Sequence, residues 1–517
     1  MSSTPFSQVV YLVGSQVATK AVTFASNQVL LRRISPEIFG IATYLEFLVN
    51  TVIFFSREAV RIANQRANSE KTIVNFAYLP VILCGPILAV LMYLQTYSDL
   101  YQNTVVRLPY IGFTISLVIG LILLELCAEP FFALNQHKLN FKLRSQVESL
   151  ATFLKCVSVF VAVAWWQKKQ NTYMASPDLF KGQAVLSFAG GQFVYAAVLF
   201  SGYWLGSKSG IPKYTKAEAT NMFDQNLLSV WRLLFLQMIF KHLLTEGDTM
   251  LISYLFTVAE QGVYSVIANY GSMIARLLFQ PIEELVRVSF TRSIAQKDVD
   301  VTSLNQTMSQ LMTFYFNLSL LIVIGGYTNG SFLLQVLLGK SEKWLQSSVF
   351  HEFPMYMLYI PFMAFNGILE AFFSSASTQQ QIGQFSLFMS FLSVFVFTTM
   401  YVLIGKLKMG IRGLIFSNMI NMSLRIAYCL LFYVKYFKKF VTITPGAVVK
   451  KLFLPMGLVF GALFVQRVLF HNGMSSTPME FFQSLVICLF CLAGMIVNER
   501  QQLVFAFGRL TRKDKHE

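Results

Sequence analysis

The sequence predicts an all-α polytopic membrane protein with about 14 transmembrane helices, each about 20 apolar residues long. Of its 517 residues, 55% are hydrophobic and only 13% are charged. The mean hydropathy is +0.56, which excludes an ordinary soluble protein. Apolar windows long enough to cross the hydrocarbon layer recur from Gln8 to Arg500. No polar stretch is long enough to fold as a separate soluble domain.

The predicted helices follow one another with short connections. In the first half, helices one to four are predicted at residues 9–31, 37–61, 72–97 and 108–130, and helix six at residues 183–204. A polar-striped fifth helix lies between the fourth and the sixth. The fourth is expected to end at Glu129 and Pro130, because proline breaks helical hydrogen bonding. A second set of six helices extends to about residue 436, and two further helices, near 450–470 and 479–497, look peripheral because they contain few charges.

A weak internal repeat predicts two pseudo-symmetric six-helix lobes followed by two C-terminal helices. Residues 42, 44, 58, 60 and 61 are identical to the residues 226 positions later. The polar segment GSKSGIPKYTKAEATN is the best candidate for a linker between the lobes. The expected parts are an N-terminal lobe (1–205), a cytoplasmic linker (206–226), a C-terminal lobe (227–440), two extra transmembrane helices (441–500) and a cytoplasmic tail (501–517).

The net charge of +16 comes largely from Lys and Arg in the loops on the side of the amino terminus. The positive-inside rule therefore places both termini in the cytoplasm. This distribution argues against a nucleic-acid partner and suggests contact with membrane lipids. The six cysteines lie in apolar windows without metal-ligand spacing, so no metal is expected. The motif GxxxxGK[ST] is absent, so no nucleotide cofactor is expected either.

Polar residues form stripes on helices that are otherwise apolar. Asn269, Arg276 and Glu283 are separated by multiples of a helical turn, beside Glu284. Further stripes contain Gln16, Lys20 and Asn27; Glu148 and Lys155; Lys241, Glu246 and Asp248; Asn366 and Glu370; and Asn418 and Arg425. Charges at membrane depth are costly unless they face a bundle interior or a wet cavity. Several interior cations indicate an anionic ligand, such as phosphate.

Structural explanations of these residues remain open. Single Asn, Ser or Thr side chains usually bond to a neighbouring helix, and Lys or Arg near a helix end can snorkel to the interface. Ion pairs such as Lys241 with Glu246, or Arg61 with Glu58, would explain other members of the set.

Several motifs carry a family resemblance. They are SPEIFG with SREAVR, ELCAEPFFAL with KLRSQVESL, LLTEGD with EQGVY and ARLLFQPIEE, FNGILEAF, and SNMINMSLRI, spread over residues 35–426. The sequence resembles the eukaryotic oligosaccharide translocation family of the endoplasmic reticulum. That family is similar to the superfamily of lipid II flippases and multidrug and toxin extrusion transporters.

The resemblance implies translocation of a dolichol-diphosphate heptasaccharide, with five mannose and two N-acetylglucosamine units, for N-linked glycosylation. It implies two lobes that open alternately around a cavity, in which Lys20, Arg61 and Arg276 are the nearest equivalents of the diphosphate-binding arginines of lipid II flippases. We predict that the diphosphate is held by Lys20, Arg61, Lys155, Lys241, Arg276 and Arg425. The residues predicted to bind glycan or balance charge are Gln16, Asn27, Glu58, Glu246, Asp248, Asn269, Glu283, Glu284, Asn366 and Glu370.

Two features bear on location. Lys513 and Lys515 have the spacing of a dilysine retrieval signal, which suits a protein of the endoplasmic reticulum membrane with a cytoplasmic tail. Asn329, in Asn-Gly-Ser, is a candidate glycosylation acceptor on the lumenal side.

Three alternatives compete with a translocator. A non-transporting accessory protein could bind or deliver the same lipid-linked glycan to enzymes of the pathway. A polyprenyl-dependent glycosyltransferase is disfavoured because the first lumenal connection is only a few residues long, so we expect no enzyme. A drug antiporter is permitted by the fold, but interior cations suit cationic drugs poorly.

Overall fold

A computed structural model gives the architecture of the chain. The structure describes residues 23–65, 67, 69–98, 101–138, 140–173, 176–207, 223–294, 301–339, 342–438, 445–470 and 473–513. Within these residues the secondary structure is helical, and no strand occurs. The chain divides into two compact units, unit 1 (Met1–Gly262) and unit 2 (Val263–Glu517).

The described part of unit 1 begins at residue 23 with a helical segment, α1, at residues 23–31, and the rest of the predicted helix 9–31 lies outside the described residues. The next helices in this unit are α2 (Pro36–Asn64), α3 (Glu70–Phe76), α4 (Leu79–Gln95), α5 (Ile111–Cys127), α6 (Glu129–His137), α7 (Phe141–Tyr173), α8 (Pro177–Gly206) and α9 (Gln225–Leu255). Helix α10 (Val258–Ile274) crosses the boundary between the two units.

Unit 2 continues with α11 (Gln280–Ile294), α12 (Val301–Leu338), α13 (Glu342–Leu345), α14 (Val349–Met357), α15 (Ile360–Ala376), α16 (Gln379–Met400), α17 (Gly410–Phe437), α18 (Pro445–Leu469) and α19 (Pro478–Lys513). The described part of the chain also contains three short π-helical segments, at Tyr101–Val105, Ala275–Phe279 and Tyr401–Lys406.

The helices have the length and composition of membrane spans. Among the described residues, ten are long and apolar enough to cross a bilayer, and Phe453–Leu469 is a shorter apolar helix. The protein is therefore a polytopic, all-helical membrane protein, as predicted. The large apolar side chains exposed along α16, α18 and α19, such as Phe391, Phe464 and Phe490, are those that lipid would cover.

Two spans of unit 1 are broken where proline interrupts the helix. The span Glu70–Gln95 breaks at Ala77 and Tyr78 before Pro80, and the span Ile111–His137 breaks at Ala128 before Pro130. The fourth predicted helix does end near Pro130, as α5 at Cys127, but the same proline also occupies the first turn of a new helix, α6, where its missing N–H costs nothing. The chain therefore continues as a helix to His137 after the break at Ala128.

Packing within each unit buries one face of most helices. In unit 1, α7 lies along α8, and α2 contacts α4, α5, α8 and α9. A close approach joins α2 to the start of α10, where a methyl group at Gly40 would overlap the carbonyl oxygen of Val258. In unit 2, α15 packs between α11 and α17, while α18 and α19 pack on α12.

The two C-terminal helices are held by a buried polar network. Thr328 of α12 donates to Gln466 at 2.7 Å, and Gln466 and Asn329 both donate to Ser484, at 2.9 and 2.8 Å. Ser475 donates to the Asn329 side chain at 2.9 Å. Asn329 is thus buried and bonded on both atoms of its amide, so it is a poor glycosylation acceptor in this fold. The network also makes α18 and α19 an integral part of unit 2 rather than a loose periphery.

Candidate functional site

A four-residue ionic cluster lies at the carboxyl-terminal end of α2 in unit 1. The Arg61 guanidinium donates to both oxygens of Glu129, from Nε at 2.8 Å and from Nη2 at 2.6 Å. Arg57 donates to Glu125 at 2.6 Å and lies 3.5 Å from Glu129. Both carboxylates are buried, whereas the arginine side chains keep about a quarter of their surface exposed.

Helical spacing explains why these four side chains meet. Arg57 and Arg61 are four residues apart on α2, so they share one face. Glu125 and Glu129 are also four residues apart, but they flank the break between α5 and α6. Both carboxylates face α2 there. Two cations on one helix then face two carboxylates on the next.

The guanidinium group of Arg61 also contacts an aromatic ring. The guanidinium carbon of Arg61 lies 3.8 Å from the ring centroid of Phe132, and that of Arg144 lies 4.8 Å from the same centroid. Such contacts add about 0.5–2 kcal/mol, depending on solvation. Phe132 packs with Phe131, Ala151 and Tyr203 in a buried apolar cluster. Arg61 is therefore held from two sides, by a carboxylate and by a ring.

The sequence predicts Arg61 but not its partner. The pair with Glu58 is suggested by their proximity in the sequence; the structure instead places the bidentate carboxylate 68 residues away, on α6. A signal for this carboxylate is present, because Glu129-Pro-Phe-Phe is matched by Glu370-Ala-Phe-Phe in the other half. Glu125 and Glu129 are the acidic residues that the sequence-based prediction left out of the site.

A second ionic group in unit 1 involves Lys155 of α7. Its ammonium lies 3.1 Å from the carboxylate of Glu46 on α2, and the amide of Gln192 on α8 donates to the same oxygen at 2.7 Å. The group joins three helices. Lys155 is one of the predicted interior cations, and its charge is balanced by Glu46.

Unit 2 contains a comparable group around Glu370 of α15. Arg425 of α17 forms a short ion pair with this carboxylate, and Asn366 donates to it at 3.2 Å. The two stripes predicted on separate helices therefore meet at Glu370. In both units, a Glu that precedes a Phe-Phe pair receives an arginine from a neighbouring helix.

Arg276 has a different environment. It is exposed and donates to the backbone and side-chain oxygens of Asn269, both at 3.1 Å. These partners are neutral. The expected continuation of this stripe to Glu283 is wrong, because the π-helical segment Ala275–Phe279 adds a residue and shifts the following helix by about 100°. The Glu283 carboxylate instead packs against the backbone at Gly367 of α15.

The remaining predicted residues divide into two groups. Among described side chains, Asn27 is half-buried in α1 and Glu246 is exposed on α9. Glu58 is one of the charges that surround Arg61. Outside the described residues or side chains lie Gln16, Lys20, Lys241, Asp248, Glu284, Lys513 and Lys515.

A cavity of about 300 Å³ with both polar and apolar lining residues opens beside the ionic cluster of unit 1. It lies between α2, α3, α6 and the start of α4, and Arg61, Glu129 and His137 are among its lining residues. Among the described residues, no group of three or more His, Cys, Asp or Glu could hold a metal ion. The arrangement is suited to binding a polar ligand by hydrogen bonds and charge.

Comparison with known sequences gives matches over nearly the full chain. Residues 4–509 match the Rft-1 family, described as Rft protein. A protein of Candida albicans named Man(5)GlcNAc(2)-PP-dolichol translocation protein RFT1 is 36% identical, over 97% of this chain and 94% of its own. The Saccharomyces cerevisiae protein of the same name is 35% identical, over 95% of this chain and 93% of its own.

Solved structures share the fold at low sequence identity. The lipid II flippase MurJ, in an inward closed conformation, matches with a TM-score of 0.64 and 13% identity, covering 96% of this chain and all of its own. An inward-facing multidrug resistance MATE family transporter of the MOP superfamily matches with a TM-score of 0.53 and 13% identity, over 81% of this chain and 96% of its own.

Proposed function

The chain belongs to the Rft protein family, and from this premise we propose that it translocates a dolichol-diphosphate-linked oligosaccharide across the endoplasmic reticulum membrane. The cargo is the lipid-linked heptasaccharide of five mannose and two N-acetylglucosamine units, moved from the cytoplasmic to the lumenal leaflet for protein N-glycosylation. The observation that carries the proposal is the near full-length similarity to relatives named for this translocation. The protein acts as a lipid transporter rather than as an enzyme.

The proposed topology has fourteen spans. It adds to the ten apolar helices the helix that ends at residue 31, α9, the continuous α10–α11 helix and α18. We also propose that the two lobes are joined by a linker at residues 206–226, that the second lobe ends at residue 440 and that the tail begins after residue 500. Both termini are proposed to lie in the cytoplasm. The fold shared with MurJ supports a fully membrane-embedded path. The dolichol chain stays in the bilayer while the polar head crosses.

The proposed diphosphate ligands differ in how their charge is balanced. Arg61, Lys155 and Arg425 each lie within hydrogen-bonding distance of a carboxylate. A diphosphate has to compete with that carboxylate, so these three residues act when the helices rearrange. Arg276 bonds to neutral oxygens and keeps its net charge for the ligand. We therefore assign Arg276 the first contact with the diphosphate, together with Lys20 and Lys241 from the sequence-based set.

Transport is tested with the purified protein in vesicles that contain a fluorescent dolichol-diphosphate heptasaccharide. We expect faster loss of the outer-leaflet lipid than in protein-free vesicles, and loss of this acceleration in Arg61→Ala and in Arg276→Ala. The matched control is Arg107→Ala, because Arg107 is exposed and bonds only weakly to the nearby Asn103 at 3.4 Å.

The outcomes separate transport from binding. Acceleration that survives both Arg61→Ala and Arg276→Ala would contradict the diphosphate role. No acceleration by the wild-type protein, with the lipid still bound, would favour a non-transporting accessory protein that delivers the glycan to enzymes of the pathway.

A further inference from the structure

Polar side chains occupy the middle of three membrane-spanning helices of unit 1. Asn50 is the central residue of α2, about 20 Å from either end, and Glu46 lies one turn before it. Lys155 and Gln192 occupy the middle of α7 and α8. The Glu46 carboxylate joins the three helices, because its Oε1 atom accepts hydrogen bonds from both Lys155 and Gln192.

This face of α2 is accessible. Glu46 keeps 45% of its side-chain surface exposed, Lys155 keeps 27%, and Asn50 is exposed. Glu46 and Asn50 are four residues apart, so they share one face of the helix, with Cβ atoms about 5–6 Å apart. Ionisable side chains in the middle of a span almost always face a bundle interior or a water-filled cavity. The exposed face therefore borders a polar space rather than lipid.

Some hydrogen-bonding atoms on this face are not used. Glu46 Oε2 accepts none of the hydrogen bonds in the described part of the chain, and both bonds to Glu46 end on Oε1. The amide of Asn50 neither donates nor accepts one there, and Gln192 uses only its Nε2. We call Glu46, Asn50 and Gln192 the midspan site. It offers carboxylate and amide oxygens as acceptors and an amide N–H as a donor.

Close packing of α7 on α8 holds two of the helices that form this group. A methyl group at Gly191 would overlap the side chain of Val159 and lie 3.2 Å from the carbonyl oxygen of Lys155. Small residues let membrane helices approach in this way. The backbones that carry Lys155 and Gln192 are therefore fixed side by side, and the Glu46 carboxylate is held between their two side chains.

The charges of this group favour a neutral ligand. Glu46 and Lys155 lie 3.1 Å apart and cancel each other. In this arrangement an anion would lie next to the Glu46 carboxylate and a cation next to the Lys155 ammonium, and both repulsions are strong where the dielectric constant is low. A hydroxyl group meets neither repulsion. It can donate to Glu46 Oε2 and accept from the Asn50 amide.

We propose that the midspan site binds hydroxyl groups of the cargo glycan as the glycan crosses the middle of the membrane. The identity of the cargo rests on the proposed function. Lys155 keeps the diphosphate role given above, because Glu46 occupies its ammonium here and releases it only when the helices rearrange. Glu46 then retains its bond to Gln192. The glycan and the diphosphate therefore use different residues.

The test compares two lipids that differ only in the glycan. Binding of dolichyl diphosphate heptasaccharide, and of dolichyl diphosphate alone, is measured on the full-length protein in nanodiscs. We expect the wild-type protein to bind the glycan-bearing lipid at least tenfold more tightly. Asn50→Leu keeps the size of the side chain and removes its amide, so it should reduce this preference to less than threefold with unchanged affinity for dolichyl diphosphate. Asn103→Leu, at an exposed asparagine outside α2, α7 and α8, should keep the full preference.

A second variant tests the charge argument. Glu46→Gln removes the carboxylate charge that neutralises Lys155 but keeps an oxygen that can accept from Gln192. We expect dolichyl diphosphate to bind at least threefold more tightly to this variant, because the ammonium of Lys155 is then available to the phosphate. Unchanged affinity for dolichyl diphosphate would remove the reason for a neutral ligand and overturn the role given to Glu46.

The remaining outcomes separate the glycan site from the proposed function. A tenfold preference that survives Asn50→Leu, or no preference in the wild-type protein, overturns the midspan site while the proposed function stands. Equal weakening of both lipids shows a structural or ion-binding role of Asn50 and likewise overturns it. If the wild-type protein binds neither lipid, the proposed function fails and the glycan site with it. Thermal unfolding is compared with wild type, and Asn50→Ala replaces Asn50→Leu if the leucine variant does not fold.

Discussion

Replacing Glu129 with glutamine removes one charge from the ionic cluster of unit 1 and leaves the volume of the side chain unchanged. Glu129 is 4% exposed and accepts two hydrogen bonds from Arg61, at 2.8 and 2.6 Å. Breaking a buried pair by removing one partner leaves an uncompensated charge and costs about 3–5 kcal/mol. Because the Arg61 side chain is about a quarter exposed, we expect the low end of that range, about 3 kcal/mol.

The matched control is Glu70→Gln in the same unit. The Glu70 carboxylate lies 3.5 Å from Lys138, and about half of each side chain is exposed. Exposed pairs contribute about 0–1 kcal/mol, so we expect Glu70→Gln to change the free energy of unfolding by less than about 1 kcal/mol. The same chemical change is thus made at a buried pair and at an exposed one.

The assay is reversible denaturant unfolding of the purified protein in mixed micelles, applied to Glu129→Gln, Arg61→Gln and the double variant. Side chains in direct contact show coupling energies of about 0.5–3 kcal/mol in such a cycle, and we expect about 2 kcal/mol here. Additive single effects, or a loss in Glu129→Gln no larger than in Glu70→Gln, would refute the view that this ion pair stabilises the packing of α6 against α2.

Two further predictions concern packing. Gly40→Ala places a methyl group onto the carbonyl oxygen of Val258 and should lower the free energy of unfolding by about 1–3 kcal/mol. The control Gly85→Ala has open space around it and should leave the free energy of unfolding nearly unchanged. Equal losses in the two variants would contradict the close approach between α2 and α10. Asn329→Gln should leave the electrophoretic mobility of the protein unchanged after expression in cells that glycosylate proteins, because the native amide is buried against Ser484. A mobility shift on glycosidase treatment of the native protein would show instead that Asn329 is accessible.

The pattern of apolar and polar residues was sufficient to predict the features that depend on residues close together in the sequence. The apolar windows predicted a polytopic helical membrane protein, and the four-residue spacing of Asn366 and Glu370 predicted their shared face. Tertiary partners were harder to predict. Arg61 has an acidic neighbour at Glu58 in the sequence, but its bidentate partner arrives from another helix, and only packing decides which carboxylate comes within reach.

Backbone irregularities account for the other differences. A periodicity argument assumes a constant 3.6 residues per turn, and the π-helical segment Ala275–Phe279 violates that assumption between Arg276 and Glu283. Proline was correctly identified as a breaker at Pro130, yet the same residue can begin the next helix. The C-terminal helices looked peripheral because they contain few charges, whereas Gln466 connects them to α12 through uncharged hydrogen bonds.

The separation in sequence between the two halves of the ionic cluster has a consequence for biosynthesis. Arg57 and Arg61 are each 68 residues ahead of their carboxylate partners. At translation rates of about 5–20 residues per second, that distance corresponds to roughly 3–14 s. During this interval α2 reaches the insertion machinery with two arginines and without Glu125 or Glu129. Until α5 and α6 follow, α2 therefore carries two arginines near its carboxyl-terminal end without their carboxylate partners.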